Sequence, residues 1–554
     1  MNDIQISMLF ILMYGLSVIV LKKKYVIEKY NMSWFGPFIM LRTTKGLFIF
    51  DKLAKPKKAW KAVGNLGILL LFLGMIGIVY FMFISAKGFF TTIEINGMPE
   101  PDKFIAPRNI FLIPGVNEFL PAIWGWIAFV LSVGLHELGH AVMSRVEKVK
   151  VNSMGILLAV FPVGGFAEPD NEEIVKVEKK SRVRILVAGV TMNFLLAFVC
   201  FSLLFGPVLG AIEPIGETII TGIDENGPAV STGIQNNTII VGVNGNEIST
   251  IRDFVKYADR TNPGDNITIT GIKDGIEKDY IISTKDAYPD VFEGVEIQAI
   301  VKDSPADKAG LVYGMFITSM DNIKIENPGQ FIDFMDTTTP GQNVLVKAVY
   351  PENQTVISKI CKLVEKKEDS DPNADNGYIG VYYNFLSGTS STHLMGLNVS
   401  TFQAGSYIST LKSIPSMLTT KYGWFLLLAL PIYGIDGEGF SGFSGFSGFS
   451  GTFQQFFHVT SWAEPFGVLV FWLANALLWT GWLSFYVGLF NCLPAKPLDG
   501  GHVAEEYVQS VCTRITKDSI KSEIIARKML FVLSTLFIGT MLFMVAGPYI
   551  VHGF

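Results

Sequence analysis

The chain has 554 residues, of which 49% are hydrophobic and only 17% charged, with a formal net charge of -5. So apolar a composition over this length excludes an ordinary soluble enzyme and indicates several membrane spans joined to some soluble mass. The small negative balance gives no footing for nucleic acid as a partner, and four scattered cysteines, Cys200, Cys361, Cys492 and Cys512, offer neither a disulfide framework nor a thiolate metal site.

In chain order, residues 4–21 form an apolar run followed by Lys22, Lys23 and Lys24. A cleavable leader carries its charge before the apolar core, so this run reads as a retained span. Residues 22–61 are strongly basic with apolar patches, and the positive-inside rule puts them in the cytoplasm against the membrane surface. A second span covers about 63–86, and the loop that follows has few basic residues, which fits the outer side. Residues 1–119 together read as an N-terminal extension.

The next span carries no charge from residue 121 until Leu135-His136-Glu137-Leu138-Gly139-His140. On a helix, His136 and His140 lie one turn apart on one face, so both imidazoles reach one metal ion with Glu137 alongside. Ionisable groups at the end of a membrane-length helix are unfavourable unless they act, which makes this a zinc-peptidase core. Basic residues from Arg145 to Arg184 place the motif near the cytoplasmic side. Within that loop Gly164, Gly165 and Phe166, flanked by prolines and β-formers, suggest an extended element that another backbone can approach, or else a surface turn. The fourth span, about 185–209, holds Gly189, which allows close helix packing, and Asn193, a polar group that serves as interhelical glue or as a substrate contact.

Beyond it the composition changes. Gly227-Pro228-Ala229 matches Ser304-Pro305-Ala306, Gly233 matches Gly310, Asn244 matches Asp321, and Pro263-Gly264 matches Pro340-Gly341, at a constant offset of about 77 residues. Two copies of one module follow, 212–287 and 288–365, each a small β-barrel with one helix. The stretch Val301 to Leu311 carries a resemblance to PDZ domains of membrane and periplasmic proteases. Such modules take peptide ligands by strand addition, or act only as spacers.

Residues 366–463 read as a charged linker and a membrane-associated insertion, in which Gly-Phe-Ser triplets from 439 dip into the lipid interface. Residues 464–554 begin with a span that ends in Asn491-Cys492-Leu493-Pro494-Ala495-Lys496-Pro497-Leu498-Asp499-Gly500. Two prolines three apart open the backbone at membrane depth, tolerated only inside protein or beside a water-filled cavity. Catalytic zinc needs a third protein ligand and an open position. Asp499 is the first candidate, His502 the second, and Glu168 and Asp170 are weaker. His393, His458 and His552 read as ordinary surface or interfacial residues.

The HELGH helix and the Asn491–Gly500 element, in that order, resemble the site-2 protease family of intramembrane zinc metalloproteases. The resemblance covers about 120–211, the PDZ pair and 465–546, so that 120–211 reads as the first half of the core and 464–554 as the second. It implies a polytopic α-helical membrane protein with two inserted PDZ-like α+β domains, the latter on the extracytoplasmic side of the cell membrane. It further implies one Zn2+ on His136, His140 and Asp499, with Glu137 as general base. The substrate would be a transmembrane helix of another protein that unwinds in the membrane lipid, against Gly164, Gly165, Phe166, Asn193, Asn491 and Pro494. A zinc peptidase acting on soluble or signal peptides at the membrane face and a non-catalytic PDZ scaffold are the alternatives.

Overall fold

A computed structural model describes residues 32–35, 38–102, 104–110, 113–158, 162–273, 275–286, 288, 291–352, 354–365, 376–433 and 448–553. The span expected at 4–21 and the triplet repeat from 439 to 447 lie outside the described residues. The chain divides into two compact units, one built from residues up to 207, 424–448 and 472 onward, the other from 208–423 and 449–471.

In chain order there come a hairpin of β1 (Met32–Phe35) and β2 (Phe38–Thr43), then α1 (Lys57–Asn96), α2 (Ala122–Val146), a second hairpin of β3 (Val151–Leu158) and β4 (Pro162–Pro169), and α3 (Lys179–Leu203). Next are β5 (Ile212–Pro214), β6 (Thr218–Ile223), β7 (Ile239–Val243), α4 (Ile251–Ala258), β8 (Asn266–Lys273), β9 (Ile276–Ser283), β10 (Val295–Ile300) and β11 (Phe316–Met320). They are followed by α5 (Pro328–Asp336), β12 (Asn343–Tyr350), β13 (Thr355–Lys362), β14 (Val381–Tyr383), α6 (Ser391–Met395), β15 (Leu397–Thr401), α7 (Ala404–Met417) and α8 (Lys421–Tyr433). Last come β16 (Phe457–Val459), α9 (Val468–Asn491), α10 (Asp499–Thr516) and α11 (Ser519–His552). Among the described residues α1, α2, α3, α9 and α11 are long and apolar enough to cross a membrane, as a multi-pass protein requires.

The first unit is a helical bundle with one four-stranded sheet in the order β1-β2-β3-β4, so β4 is an edge strand. Small residues let the helices approach closely, since apolar side chains gain nothing over lipid by merely meeting each other. A side chain at Gly139 of α2 would meet the Ala188 carbonyl of α3 at 2.7 Å, and one at Gly67 of α1 would run into Thr191. Helix α1, outside the stretch that resembles the protease core, is therefore part of its packing: Leu71 and Ile78 share one buried cluster with Val187, Val190, Cys492 and Leu493. At one end of the bundle Glu147 accepts from Arg184 at 3.0 Å and Ser181 at 2.8 Å, and Asn65 accepts from Arg184 at 3.0 Å, which ties α1, α2 and α3 together.

The second unit holds the two PDZ-like repeats. Their sheets run β9-β8-β7-β6-β15 and β13-β12-β11-β10-β14, each with a two-residue strand beside the third. The repeat extends to single hydrogen bonds: Asn244 Oδ1 accepts the Thr268 amide at 2.8 Å, and Asp321 Oδ1 the Leu345 amide at 2.7 Å, both from left-handed turns. One expectation needs correction. The last strand of each sheet, β15 and β14, comes from the stretch read as linker and insertion, and β15 reaches the first module from beyond the second. The first module is thus split around the second, because a β-edge can be completed by any segment that reaches it, however remote in sequence.

The aromatic end of the insertion is also not at a lipid surface. Phe449, Phe453, Phe456 and Phe457 are buried. They stack against Phe402 and Tyr407, with centroids 4.9 Å apart for Phe402–Phe453 and 5.2 Å for Phe449–Phe457, while β16 pairs with β5. Rings gathered edge to face remove more apolar area from water than an interfacial position would, with pair energies added. The earlier triplets, Phe440 to Phe446, lie outside the described residues.

Besides the ion pairs of Arg252 and Lys256 with Asp336 and of Arg260 with Asp333, a buried carboxylate joins the two modules. Asp259, at the end of α4, accepts from the amides of Gly329 in α5 (3.2 Å) and Ser391 in α6 (2.8 Å) and from the Ser390 hydroxyl (3.2 Å). Burial outweighs these bonds and raises its pKa to about 7. A carboxyl raised above its unfolded value stabilises most when protonated in the folded state, and that contribution is lost as pH rises toward the folded value. Asp259→Asn carries a fixed cost, since its amide has one acceptor oxygen for the two backbone donors, but its thermal midpoint relative to wild type should rise between pH 5 and pH 8 as the wild-type carboxyl ionises. Equal effects at the two pH values would show that the carboxyl does not titrate between them.

Candidate metal centre

Residues His136 and His140 project from α2 with their Nε2 atoms 3.2 Å apart, and both stand 3.3 Å from Asp499 Oδ2. One donor atom from each of the three residues falls within 4.8 Å of the others. The third donor arrives by the chain break expected from the prolines. After α9 ends at Asn491 the chain turns through buried Cys492, Leu493, Pro494 and Ala495, and α10 starts at Asp499 itself. Gly500 and Gly501 let the first turn of α10 lie directly on that turn: side chains there would meet the Leu493 carbonyl at 2.6 Å and the Lys496 amide nitrogen at 2.7 Å. Arg182 of α3 then clamps α10 through Glu506 at 2.7 Å.

The electrostatics fit a cation. Among the described residues, buried Asp499 Oδ2 has no hydrogen-bond partner, and neither has buried His136 Nδ1. His140 Nδ1 lies 2.8 Å from the Ile185 carbonyl, which can only accept, so the proton sits on Nδ1 and the Nε2 lone pair is free for a ligand role. The Asp499 carboxylate supplies the negative charge of the trio, with its Oδ2 3.3 Å from each imidazole Nε2. Gly189 of α3 closes the back of the site. A β-carbon there would run into His140 Nε2 and come within 2.6 Å of His136 Nε2. Two imidazoles and one carboxylate are a donor set of the kind that holds catalytic zinc, whose fourth position is left to water.

Glu137 turns toward β4, where its Oε2 accepts the Ala167 amide at 2.8 Å. Gly165 lies beside it, with Glu137 Cγ and Val133 Cγ1 each 3.1 Å from the place a β-carbon would take. Gly164 and Phe166 are on the same strand. Asn193 is fully buried in α3, with neither amide atom hydrogen-bonded among the described residues. Asn491 instead donates to the Val487 carbonyl of its own helix at 3.0 Å, and Pro494 is buried in the turn. The rival ligands are elsewhere: Glu168 accepts from Ser153 (2.6 Å) and Arg42 (3.2 Å), Asp170 caps the short helix after β4, and His502 lies outside the three-donor group. His458 and His552 are exposed, and His552 lies 2.8 Å from the Met98 carbonyl, whereas His393 is half-buried with its Nδ1 unpartnered. Sequence reasoning gave Gly189 a packing role only. Its place against both imidazoles, and the amide of Ala167 on the base, follow from how α3 and β4 lie on α2.

A bundle that brings an HExxH helix and a remote aspartate onto one site defines a membrane-embedded metallopeptidase class. A model of peptidase family M50 matches residues 124–536, and the chain belongs to that family. An uncharacterized protein of Methanocaldococcus jannaschii is 30% identical over 45% of this chain and 63% of its own length. A Clostridium acetobutylicum protein named as a candidate zinc metalloprotease is 25% identical over 36% of this chain and, again, 63% of its own length, so the chain spans under two thirds of both. The regulator of sigma E protease of Haemophilus influenzae is 24% identical over 70% of this chain and 93% of its own length.

Proposed function

We propose that the protein is an intramembrane zinc endopeptidase that cuts transmembrane segments of other membrane proteins after their outer domains have been trimmed. The observation that carries this reading is the convergence of His136, His140 and Asp499 within 4.8 Å, beside Glu137, among helices long enough to cross a bilayer. Zinc bound by these three side chains supplies a Lewis acid that acidifies water and polarises a peptide carbonyl. Glu137 takes the proton from the attacking water and returns it to the leaving amine. A helical substrate must first unwind, because its carbonyls are already hydrogen-bonded, and β4 offers the open edge that holds it extended. Asn193, buried and without a partner among the described residues, is suited to meet a backbone group freed by unwinding. The PDZ-like modules lie outside the cytoplasm, where they admit trimmed substrates, and the metal lies near the cytoplasmic face.

Glu137→Gln is the test. The variant should keep its zinc and lose cleavage of a substrate carrying one transmembrane segment, by more than about a hundredfold. Cleavage at the wild-type rate would remove Glu137 as the base. If wild type hydrolysed short soluble peptides and ignored intact transmembrane substrates, the membrane-face reading would replace this one.

A further inference from the structure

Strand β4 does more than offer an edge. Between Ser153 and Leu157 its register with β3 is regular, pairing Ser153 with Glu168, Met154 with Ala167, Gly155 with Phe166, Ile156 with Gly165 and Leu157 with Gly164. In an antiparallel pair, residues alternate between turning both backbone groups to the partner strand and turning both away. The Ala167 amide points away from β3, because it donates to Glu137 Oε2 at 2.8 Å. By alternation the backbone groups of Gly165 also point outward, while those of Gly164 and Phe166 are taken by β3. The two adjacent glycines are therefore not equivalent. Among the described residues, a methyl at Gly164 would meet only Leu157 Cδ1, at an ordinary 3.7 Å. A methyl at Gly165 would press on Glu137 Cγ and Val133 Cγ1, each at 3.1 Å.

We infer that β4 holds the catalytic base through the Ala167 amide and the bare Cα of Gly165, and that the outward peptide groups of Gly165 are where substrate pairing stops. With the Ala167 amide engaged by Glu137, the last free pair on the edge belongs to Gly165. The extended substrate pairs up to that residue, and its next peptide bond passes over Glu137 and the three metal donors. Gly165 is thus a positioning residue that sets both the base and the pairing register, and Gly164 is a strand residue without that role. This inference rests on the protease reading above.

The test compares Gly164→Ala, Gly165→Ala and Gly165→Ala with Val133→Ala in the full chain. Gly165→Ala should lower kcat about tenfold or more, with zinc content and thermal midpoint unchanged, and Gly164→Ala should lose several-fold less. Val133→Ala, by opening one of the two contacts, should restore part of the loss. A second readout needs no turnover: with an uncleaved transmembrane substrate bound to Glu137→Gln, the Gly165 amide should gain protection from hydrogen exchange, while those of Gly164 and Phe166, already paired, should not change. Equal losses at the two glycines, or new protection at Gly164 and none at Gly165, would overturn the inference while leaving the protease reading intact. Cleavage by Glu137→Gln would overturn that reading, and this inference with it.

Discussion

Asp499→Ala should yield a folded protein that no longer holds zinc. Among the described residues no donor is hydrogen-bonded to Asp499 Oδ2, so truncating the side chain strands none of them at that oxygen. What it removes is one of three converging donors and the only negative charge among them. Loss of a hydrogen-bond partner that merely supports a ligand already weakens metal binding by about 10–100-fold. Loss of the ligand itself should exceed that, and peptidase activity should fall with it. Asp499→Asn should fall between, since an amide oxygen can still approach but brings no charge. Zinc per protein after dialysis against a chelator, read beside the thermal midpoint, measures this. A fully loaded Asp499→Ala protein would mean that another side chain completes the site, and His502, one turn along α10, would be the first to examine.

The second large effect is expected at a residue that binds nothing. Gly189→Val would put methyl groups where the Nε2 atoms of His136 and His140 stand, against both imidazoles at once. The rings are confined: His140 is tied to the Ile185 carbonyl by its other nitrogen, and His136 is buried. Overpacking of this kind forces side chains off their rotamers at a cost of about 1–3 kcal/mol, and here it would fall on the metal donors. Zinc should be lost and activity abolished although every ligand is present, with Gly189→Ala showing a weaker form of the same defect. Full zinc occupancy in Gly189→Val would show that α3 can retreat from α2. The Ala188 carbonyl, packed into the space above Gly139, argues against such movement.

The contrast between these two residues marks the boundary between what is local and what is not. The spacing of His136, Glu137 and His140 is a property of one helical turn, and hydropathy marks the described spans that carry and surround it, so the class of chemistry was legible from composition and period alone. The modular repeat was legible for the same reason: its turns and caps recur at one offset, down to Asn244 and Asp321. Asp499 and His502 sit within one turn of each other on α10, and the choice between them depends on how a turn held by buried Cys492 and Leu493 aims the first residue of that helix. Asn491 looked as free as Asn193 until its amide was seen bonded to its own helix. The strand β15, read as linker, and the phenylalanines read as lipid-facing find their partners in segments far off along the chain. Periodicity reports which face of an element is apolar. It carries no information about which remote element will cover that face, because this is set by close packing of side chains that are distant in sequence.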